Sequence, residues 1–222
     1  MRQIPLALGP VAAPSFDTFL AGANQAALEH LRQLTLRSAP TYLWGASGSG
    51  KTHLLAALAG AWQAMGARVG WFAPATPAPW AFDEGWSLVM LDDCEALNAA
   101  QQQAAFTVFV EATTAGVPVV AAGSLPPVDL PLREDLRSRL GWGVVFALQP
   151  LAEADVRAAL RRAAEQRGIV LSDEVIGYLL THFARDLTHL MALLARLDEF
   201  ALSQQRAVTV PLLKQMLADD KP

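Results

Sequence analysis

The stretch that decides the fold is GASGSGKT, from Gly45 to Thr52. It fits the phosphate-loop pattern G-x-x-x-x-G-K-[ST], in which glycines let backbone N–H groups turn inward around phosphate oxygens. A chance glycine-rich turn is the alternative. Against it, the short apolar run TYLWG precedes the motif and a helical pattern follows, which is the context that a phosphate loop needs. The predicted phosphate-binding residues are Gly45, Ala46, Ser47, Gly48, Ser49, Gly50, Lys51 and Thr52.

Further apolar runs predict a parallel sheet around this loop. Five buried strands are expected in TYLWG, RVGWFA, SLVMLDD, VPVVAAGS and GVVFALQ, with helical patterns between them. The first helix is expected from Asn24 to Arg37, with Asn24 as its cap. Strands that alternate with helices indicate an α/β domain covered on both faces. After Pro150 only helical patterns follow. We therefore expect a short N-terminal segment (1–12), an α/β nucleotide-binding base (13–149) and a small all-helical lid (150–222).

Composition narrows the class of protein. Lys and Arg total 17 against 21 Asp and Glu, a net charge of -4, so a general nucleic-acid-binding surface is not indicated. Cys94 is the only cysteine, which excludes an intrachain disulfide and fits a reducing compartment. The N-terminal apolar run is too short and too often broken by Pro and Gly to predict an export signal or a membrane span. The cytoplasm is the expected location.

Polar residues at two strand ends complete the predicted site. A phosphate-loop domain needs a second carboxylate for the metal, and LVMLDD supplies Asp92, with Asp93 as the candidate to orient water. Lys51 would reach the β and γ phosphates, and the Thr52 hydroxyl would join Asp92 in the Mg²⁺ shell. Ser124, after VVAAG, is either a sensor of the γ-phosphate or a loop residue. The predicted cofactors are ADP or ATP with Mg²⁺.

Together these motifs resemble the DnaA-type AAA+ ATPases over nearly the whole chain. The resemblance implies a P-loop AAA+ fold. SFDTFLAGANQAA is similar to the family's entry segment, which lines the adenine side of the pocket and here implicates Phe16, Phe19, Leu20 and Asn24. GASGSGKTHLL resembles the family's phosphate loop and adds His53. The LDD sequence resembles its Asp-Asp second motif.

The segment LRSRLGWG resembles the one that carries the family's arginine finger, which implies that role for Arg139. Arg133 and Arg137 are interpreted as an interface or solvated face. The chain is expected to end just after the lid, without room for a DNA-binding domain, as in the regulatory branch of the family that inactivates DnaA. In that branch the implied partners are DnaA and the sliding clamp of DNA polymerase III, with DNA reached indirectly through the clamp and a homo-oligomer possible.

A clamp-binding motif near the N-terminus is also implied by this resemblance. Gln3, Ile4, Leu6 and Leu8 are the residues concerned; the glutamine amide would enter a polar pocket and the aliphatic side chains an apolar one. A frayed apolar terminus is the alternative.

The lid departs from the family pattern. RDLTHL places Thr188 where the sensor-2 arginine usually stands, and Arg185 would have to substitute for it. Intrinsic ATP hydrolysis is therefore expected to be weak or absent, with a diphosphate-bound resting state. Two other functions stay open: an autonomous AAA+ ATPase of the clamp-loader or motor kind, and a non-hydrolysing adaptor related to DnaA.

Overall fold

A computed structural model describes residues 13–183 and 186–219. The described residues divide into two compact units, an α/β unit from Ala13 to Pro150 and a helical unit from Leu151 onward. No helix in the described ranges is both long and apolar enough to cross a membrane.

The α/β unit contains a five-stranded parallel sheet. Its strands are β1 (Thr41–Trp44), β2 (Val69–Phe72), β3 (Leu88–Leu91), β4 (Val119–Gly123) and β5 (Val144–Ala147). They lie in the order β2-β3-β4-β1-β5, so β4 is central and β1 lies between β4 and the edge strand β5. The predicted five-stranded parallel sheet is confirmed. Because all strands are parallel, their carboxyl ends meet at one edge, where the loops after β1, β3 and β4 converge.

Four helices cover the two faces of this sheet. They are α1 (Gln25–Arg32), α2 (Lys51–Ala64), α3 (Ala99–Thr114) and α4 (Glu134–Leu140). The side chains of β3 alternate between them: Leu88 and Met90 belong to the core that includes α1 and α2, and Val89 and Leu91 to the core that includes α3 and α4. A strand buried on both faces reads as a continuous apolar run, which is why the sequence predicted it.

The first helix differs from its prediction. It ends at Arg32 rather than Arg37, and Leu34 is buried after the helix has ended. A turn in which Thr35 N–H donates to Ser38 Oγ then redirects the chain toward β1. Asn24 makes no capping hydrogen bond to the helix, so its expected role as a cap is wrong.

The helical unit has its own apolar core. It consists of α5 (Glu153–Gln166), α6 (Asp173–His182), α7 (Leu187–Gln204) and α8 (Val210–Asp219). Its core includes Leu160, Ile176 and Leu194, all fully buried. The Ser172 hydroxyl accepts the Val175 N–H at the start of α6, as an N-cap does. The predicted lid helices are confirmed. They could be predicted because their apolar residues recur at helical spacing.

Candidate functional site

The phosphate loop joins the carboxyl end of β1 to the first turn of α2. Gly50, at the start of this helix, has φ +97°, a left-handed conformation that favours glycine. A Cβ at Gly50 would lie 2.6 Å from the Phe19 ring, so the entry segment packs directly on the loop. The N-terminus of a 14-residue helix thus faces the edge of the sheet where a phosphate group would sit.

Lys51 carries the positive charge of this loop. Its side chain is buried, and Nζ donates to the carbonyls of Gly45 at 2.8 Å and Ala46 at 3.1 Å. The ammonium is therefore held against the turn of the loop. The buried Ser49 hydroxyl has no hydrogen-bond partner among the described residues. A charged donor and a hydroxyl inside a glycine-rich turn fit the binding of a phosphate group.

Asp92 follows β3 at the same edge and meets the first turn of α2. Its carboxylate accepts the Asp93 N–H at 3.0 Å, and the Thr52 side chain lies close enough to influence it. Burial raises the pKa of the Asp92 carboxyl above its usual range, while the neighbouring Thr52 side chain acts in the opposite direction. A hydroxyl and a carboxylate in contact are oxygen ligands of the kind that Mg²⁺ takes together with nucleotide phosphates. No larger group of His, Cys, Asp and Glu that could hold a metal occurs in residues 13–183 and 186–219.

The residues after Asp92 line the same edge of the sheet. Asp93 is exposed and has φ +48°, an uncommon conformation for a residue with a side chain. It begins a short 3₁₀ turn, Cys94–Ala96. Ser124 directly follows β4 and is half-buried. The structure thus puts Asp92, Asp93 and Ser124 at the carboxyl ends of two neighbouring strands, on the side of the sheet where the phosphate loop lies.

Sequence reasoning missed Glu95 and Tyr42 beside this edge. Glu95 Oε2 is buried without a hydrogen-bond partner in the described part of the chain. A Cβ at Gly123 would lie 2.9 Å from that oxygen and closer still to Tyr42 Oη, which donates to the Leu125 carbonyl. Burial raises the pKa of Tyr42, and the neighbouring acidic groups add to this. Glu95 follows Asp93 by two residues, and this closeness to the predicted site is the sequence feature that could have identified it.

The entry segment is held against the rest of the α/β unit at two points, one on α2 and one after β5. His53 Nε2 lies 3.1 Å from the Ser15 carbonyl and 3.3 Å from Thr18 Oγ1, and its ring lies 5.5 Å from that of Phe19. The buried Asn24 amide exchanges two hydrogen bonds with the backbone of Gln149, after β5. His53, Phe19 and Asn24 thus position the segment in relation to the phosphate loop.

Phe16 and Leu20 take other positions in the entry segment. Phe16 lines a surface pocket of about 440 Å³ together with Arg32, Ala57 and Gly60, more than one turn beyond the phosphate loop along α2. Leu20 is exposed. Contact between either residue and an adenine ring stays a prediction.

Arg139 lies in the last turn of α4, which leads through Gly141 and Gly143 into β5. This is the amino-terminal edge of the sheet, because β5 begins at Val144 and runs parallel to β1. The phosphate loop leaves the opposite end of β1, and a four-residue strand alone spans about 13 Å. Arg139 and the phosphate loop of the same unit are therefore on opposite edges of the sheet.

No hydrogen bond or ion pair involves the Arg139 side chain in the described structure, and its guanidinium lies over the Trp142 ring, 5.4 Å from the centroid. Arg133 differs, since it pairs with Asp135 and also contacts Gln103. Of Arg133, Arg137 and Arg139, it is Arg139 whose guanidinium lies over an aromatic ring in the described structure.

Comparisons with known proteins give the family. A family model described as "Hda, lid domain" matches residues 153–217, most of the helical unit. An uncharacterized protein of Haemophilus influenzae is 31% identical over 97% of this chain and 98% of its own length. The chain belongs to the Hda-like branch of the DnaA-type AAA+ family.

Solved structures show the AAA+ fold independently. Domain III of Thermotoga maritima DnaA superposes with a TM-score of 0.75 at 23% identity, over 94% of this chain and 97% of that one. Aquifex aeolicus DnaA, bound to AMPPCP, superposes with a TM-score of 0.65 at 21% identity, over 81% of this chain and 62% of that one. The helical unit of this Hda-like protein is thus a AAA+ lid, and the family supports a DnaA-related role in replication control.

Some predicted residues of this Hda-like AAA+ protein have no described geometry. The predicted clamp-binding residues Gln3, Ile4, Leu6 and Leu8 lie outside the described residues, as does Arg185. Thr188 lies in the first turn of α7. Roles in clamp binding or phosphate sensing therefore stay predictions from the sequence.

Proposed function

We propose that this protein regulates replication initiation by activating ATP hydrolysis on DnaA. The observation that carries the proposal is the position of Arg139, on the opposite edge of the sheet from the protein's own phosphate loop and without an acidic partner in the described structure. A guanidinium in that place cannot reach the phosphates bound by its own α/β unit. It fits a role in trans, at the γ-phosphate held by a neighbouring AAA+ domain.

In that assembly Arg139 would neutralise the charge that develops on the γ-phosphoryl group of DnaA-bound ATP. An arginine supplied in trans raises hydrolysis rates by about 10³ to 10⁵. The product would be ADP-bound DnaA. Sequence membership in the Hda-like branch supports DnaA as the partner.

The protein's own site is proposed to hold ADP or ATP with Mg²⁺. Lys51 and the backbone of the loop would bind the phosphates, while Thr52 and Asp92 would hold the metal, which neutralises phosphate charge when bound. The closeness of these two side chains supports the assignment. Because the family resemblance places Thr188 where the sensor-2 arginine usually stands, we propose that ADP is the resting ligand.

Docking on the DNA-loaded sliding clamp is proposed to occur through residues 3 to 8. A glutamine followed by aliphatic residues suits a site with one polar and one apolar pocket. Clamp pull-down tests this: retention by wild-type protein and loss with Gln3→Ala are expected. Equal retention of both would place any clamp contact elsewhere.

A hydrolysis assay tests the central proposal. DnaA-ATP is incubated with clamp, DNA and this protein, added in turn, and phosphate release is measured. Stimulation by wild-type protein and its loss with Arg139→Ala are expected. Nucleotide binding by that variant should be unchanged, because Arg139 lies on the other edge of the sheet. Arg137→Ala, in the same helix, is the matched control and should keep most of the stimulation. Full stimulation by Arg139→Ala would refute the finger assignment.

An autonomous ATPase is the second candidate, favoured by the complete phosphate loop and by the closeness of Thr52 to Asp92. It predicts phosphate release by the isolated protein that Lys51→Ala abolishes. Under the first proposal the isolated protein shows little turnover. The two results separate an enzyme that hydrolyses its own nucleotide from an activator of DnaA.

A further inference from the structure

The tryptophan after α4 lies at the surface of the α/β unit, beside Arg139. Trp142 is 65% exposed, although an indole normally buries most of its large apolar surface. Its exposed face therefore contributes little to the core of the α/β unit. Its ring lies beneath the Arg139 guanidinium.

The backbone beneath Trp142 is fixed on both sides. A Cβ at Gly143 would overlap the Pro40 carbonyl oxygen, which accepts the Val144 N–H at 2.8 Å. On the other side, the Trp142 N–H donates to the Arg139 carbonyl at 3.2 Å. The start of β5 therefore sets where the indole stands in relation to the last turn of α4.

An aromatic partner suits an arginine that must bind a phosphate. A carboxylate would offset the guanidinium charge and would have to be displaced before a phosphate could bind. An indole face attracts the cation through its quadrupole and leaves the full charge and the N–H donors available. Holding such a group in place before the reaction is how preorganised charge lowers a barrier.

We propose that Trp142 is a positioning residue that holds the Arg139 guanidinium ready for the γ-phosphate of the partner. This inference rests on the proposed function of Arg139. It assigns to Trp142 an effect on the maximal rate of stimulated hydrolysis, and none on the affinity between the two proteins. Because the indole is mostly exposed, its replacement leaves the fold intact.

The test uses the full-length protein in the DnaA hydrolysis assay with clamp and DNA. The maximal stimulated rate and the concentration of this protein that gives half of it are measured separately for Trp142→Ala, Trp142→Leu and Trp142→Phe. The alanine and leucine variants are expected to lose about fivefold or more in maximal rate, the factor that corresponds to about 1 kcal/mol of cation–π energy. Phenylalanine, a weaker aromatic partner, is expected to restore part of the rate, and the half-maximal concentration should stay within about twofold.

A second arm combines Trp142→Ala with Arg139→Ala. A positioning role predicts that any residual stimulation left by Arg139→Ala is not reduced further in the double variant, since no guanidinium is left to position. Thermal unfolding of each variant checks that the fold is retained.

Each other outcome overturns a specific statement. Wild-type maximal rates for Trp142→Leu, or equal losses for phenylalanine and leucine, refute the cation–π role. A changed half-maximal concentration with an unchanged maximal rate makes Trp142 a docking residue instead. Stimulation that survives Arg139→Ala refutes the proposed function itself, so the failure of one proposal is distinguishable from the failure of the other.

Discussion

Replacing Asn24 by alanine should destabilise the α/β unit through a single pair of contacts. Asn24 is 4% exposed, and its amide bridges 125 residues of sequence: Nδ2 donates to the Gln149 carbonyl and Oδ1 accepts the Gln149 N–H, each at 2.8 Å. Alanine removes both hydrogen bonds and introduces no new contact. The entry segment then loses its attachment to Gln149, two residues after the end of β5.

The magnitude follows from two hydrogen bonds. A hydrogen bond contributes about 1 kcal/mol net, so Asn24→Ala should lower the free energy of unfolding by about 2 kcal/mol. At about 2 to 4 °C per kcal/mol for a chain of this size, the unfolding midpoint should fall by about 4 to 8 °C. Nucleotide affinity should fall as well, because the same segment carries Phe19, which packs on Gly50.

Tryptophan fluorescence can measure this unit selectively. All six tryptophans lie in the α/β unit, at positions Trp44, Trp62, Trp71, Trp80, Trp86 and Trp142. A guanidinium chloride titration followed by their emission therefore reports the unfolding of that unit.

The matched control is the neighbouring residue. Gln25 is exposed and donates only to Glu29 one turn further along α1, so Gln25→Ala should change stability by less than about 0.5 kcal/mol. If Asn24→Ala and Gln25→Ala unfold at the same denaturant concentration, the reasoning about the bridge is wrong.

Two further changes have sharp expectations. Gly143→Ala should lower the free energy of unfolding by at least about 1 to 3 kcal/mol, because the new Cβ would overlap the Pro40 carbonyl. Gly60→Ala, inside α2, should raise it by about 0.5 to 1 kcal/mol, because its Cβ would meet nothing within 4 Å. Equal unfolding midpoints of the two variants in denaturant would contradict this. Asp92→Asn should stabilise the nucleotide-free protein at neutral pH. Burial raises the pKa of Asp92 in the folded state, so at neutral pH the ionised carboxylate lowers the stability of the wild-type protein. The stability gained by Asp92→Asn should vanish as the pH falls below the usual pKa range of an aspartate, because the wild-type carboxyl is then protonated in both states. The same variant should lose the Mg²⁺-dependent part of nucleotide affinity in a calorimetric titration; a gain that grew at low pH would refute the assigned shift.

Much of the fold was predictable because local pattern and tertiary environment agree. Strands buried on both faces are continuous apolar runs, and the lid helices repeat their apolar residues at helical spacing. The end of α1 was not predictable: Leu34 continues the helical spacing and is buried, yet the chain has already left the helix. Burial alone does not require helical geometry, and the turn around Thr35 is set by the return to β1.

The candidate site also contains residues that the sequence could predict and contacts that it could not. Residues of the phosphate loop and the Asp pair follow strand ends, so their shared edge could be deduced from parallel topology. The partner of Asn24 lies 125 residues away, and a plausible local explanation, the helix cap, competed with it. Likewise, the contact between Arg139 and Trp142 depends on the start of β5, which is positioned by Pro40. Pro40 is about 100 residues earlier in the chain, so the local sequence around Arg139 could not predict the contact.

Gly50 is subject to two separate constraints on its evolution. Its left-handed backbone would have to accommodate any side chain, and that side chain would also meet the Phe19 ring at 2.6 Å. A lineage that abandoned nucleotide binding would therefore still retain glycine here for as long as the entry segment kept its aromatic residue. Loss of the glycine would have to follow loss of Phe19, so the order of these substitutions among descendants is itself fixed by packing.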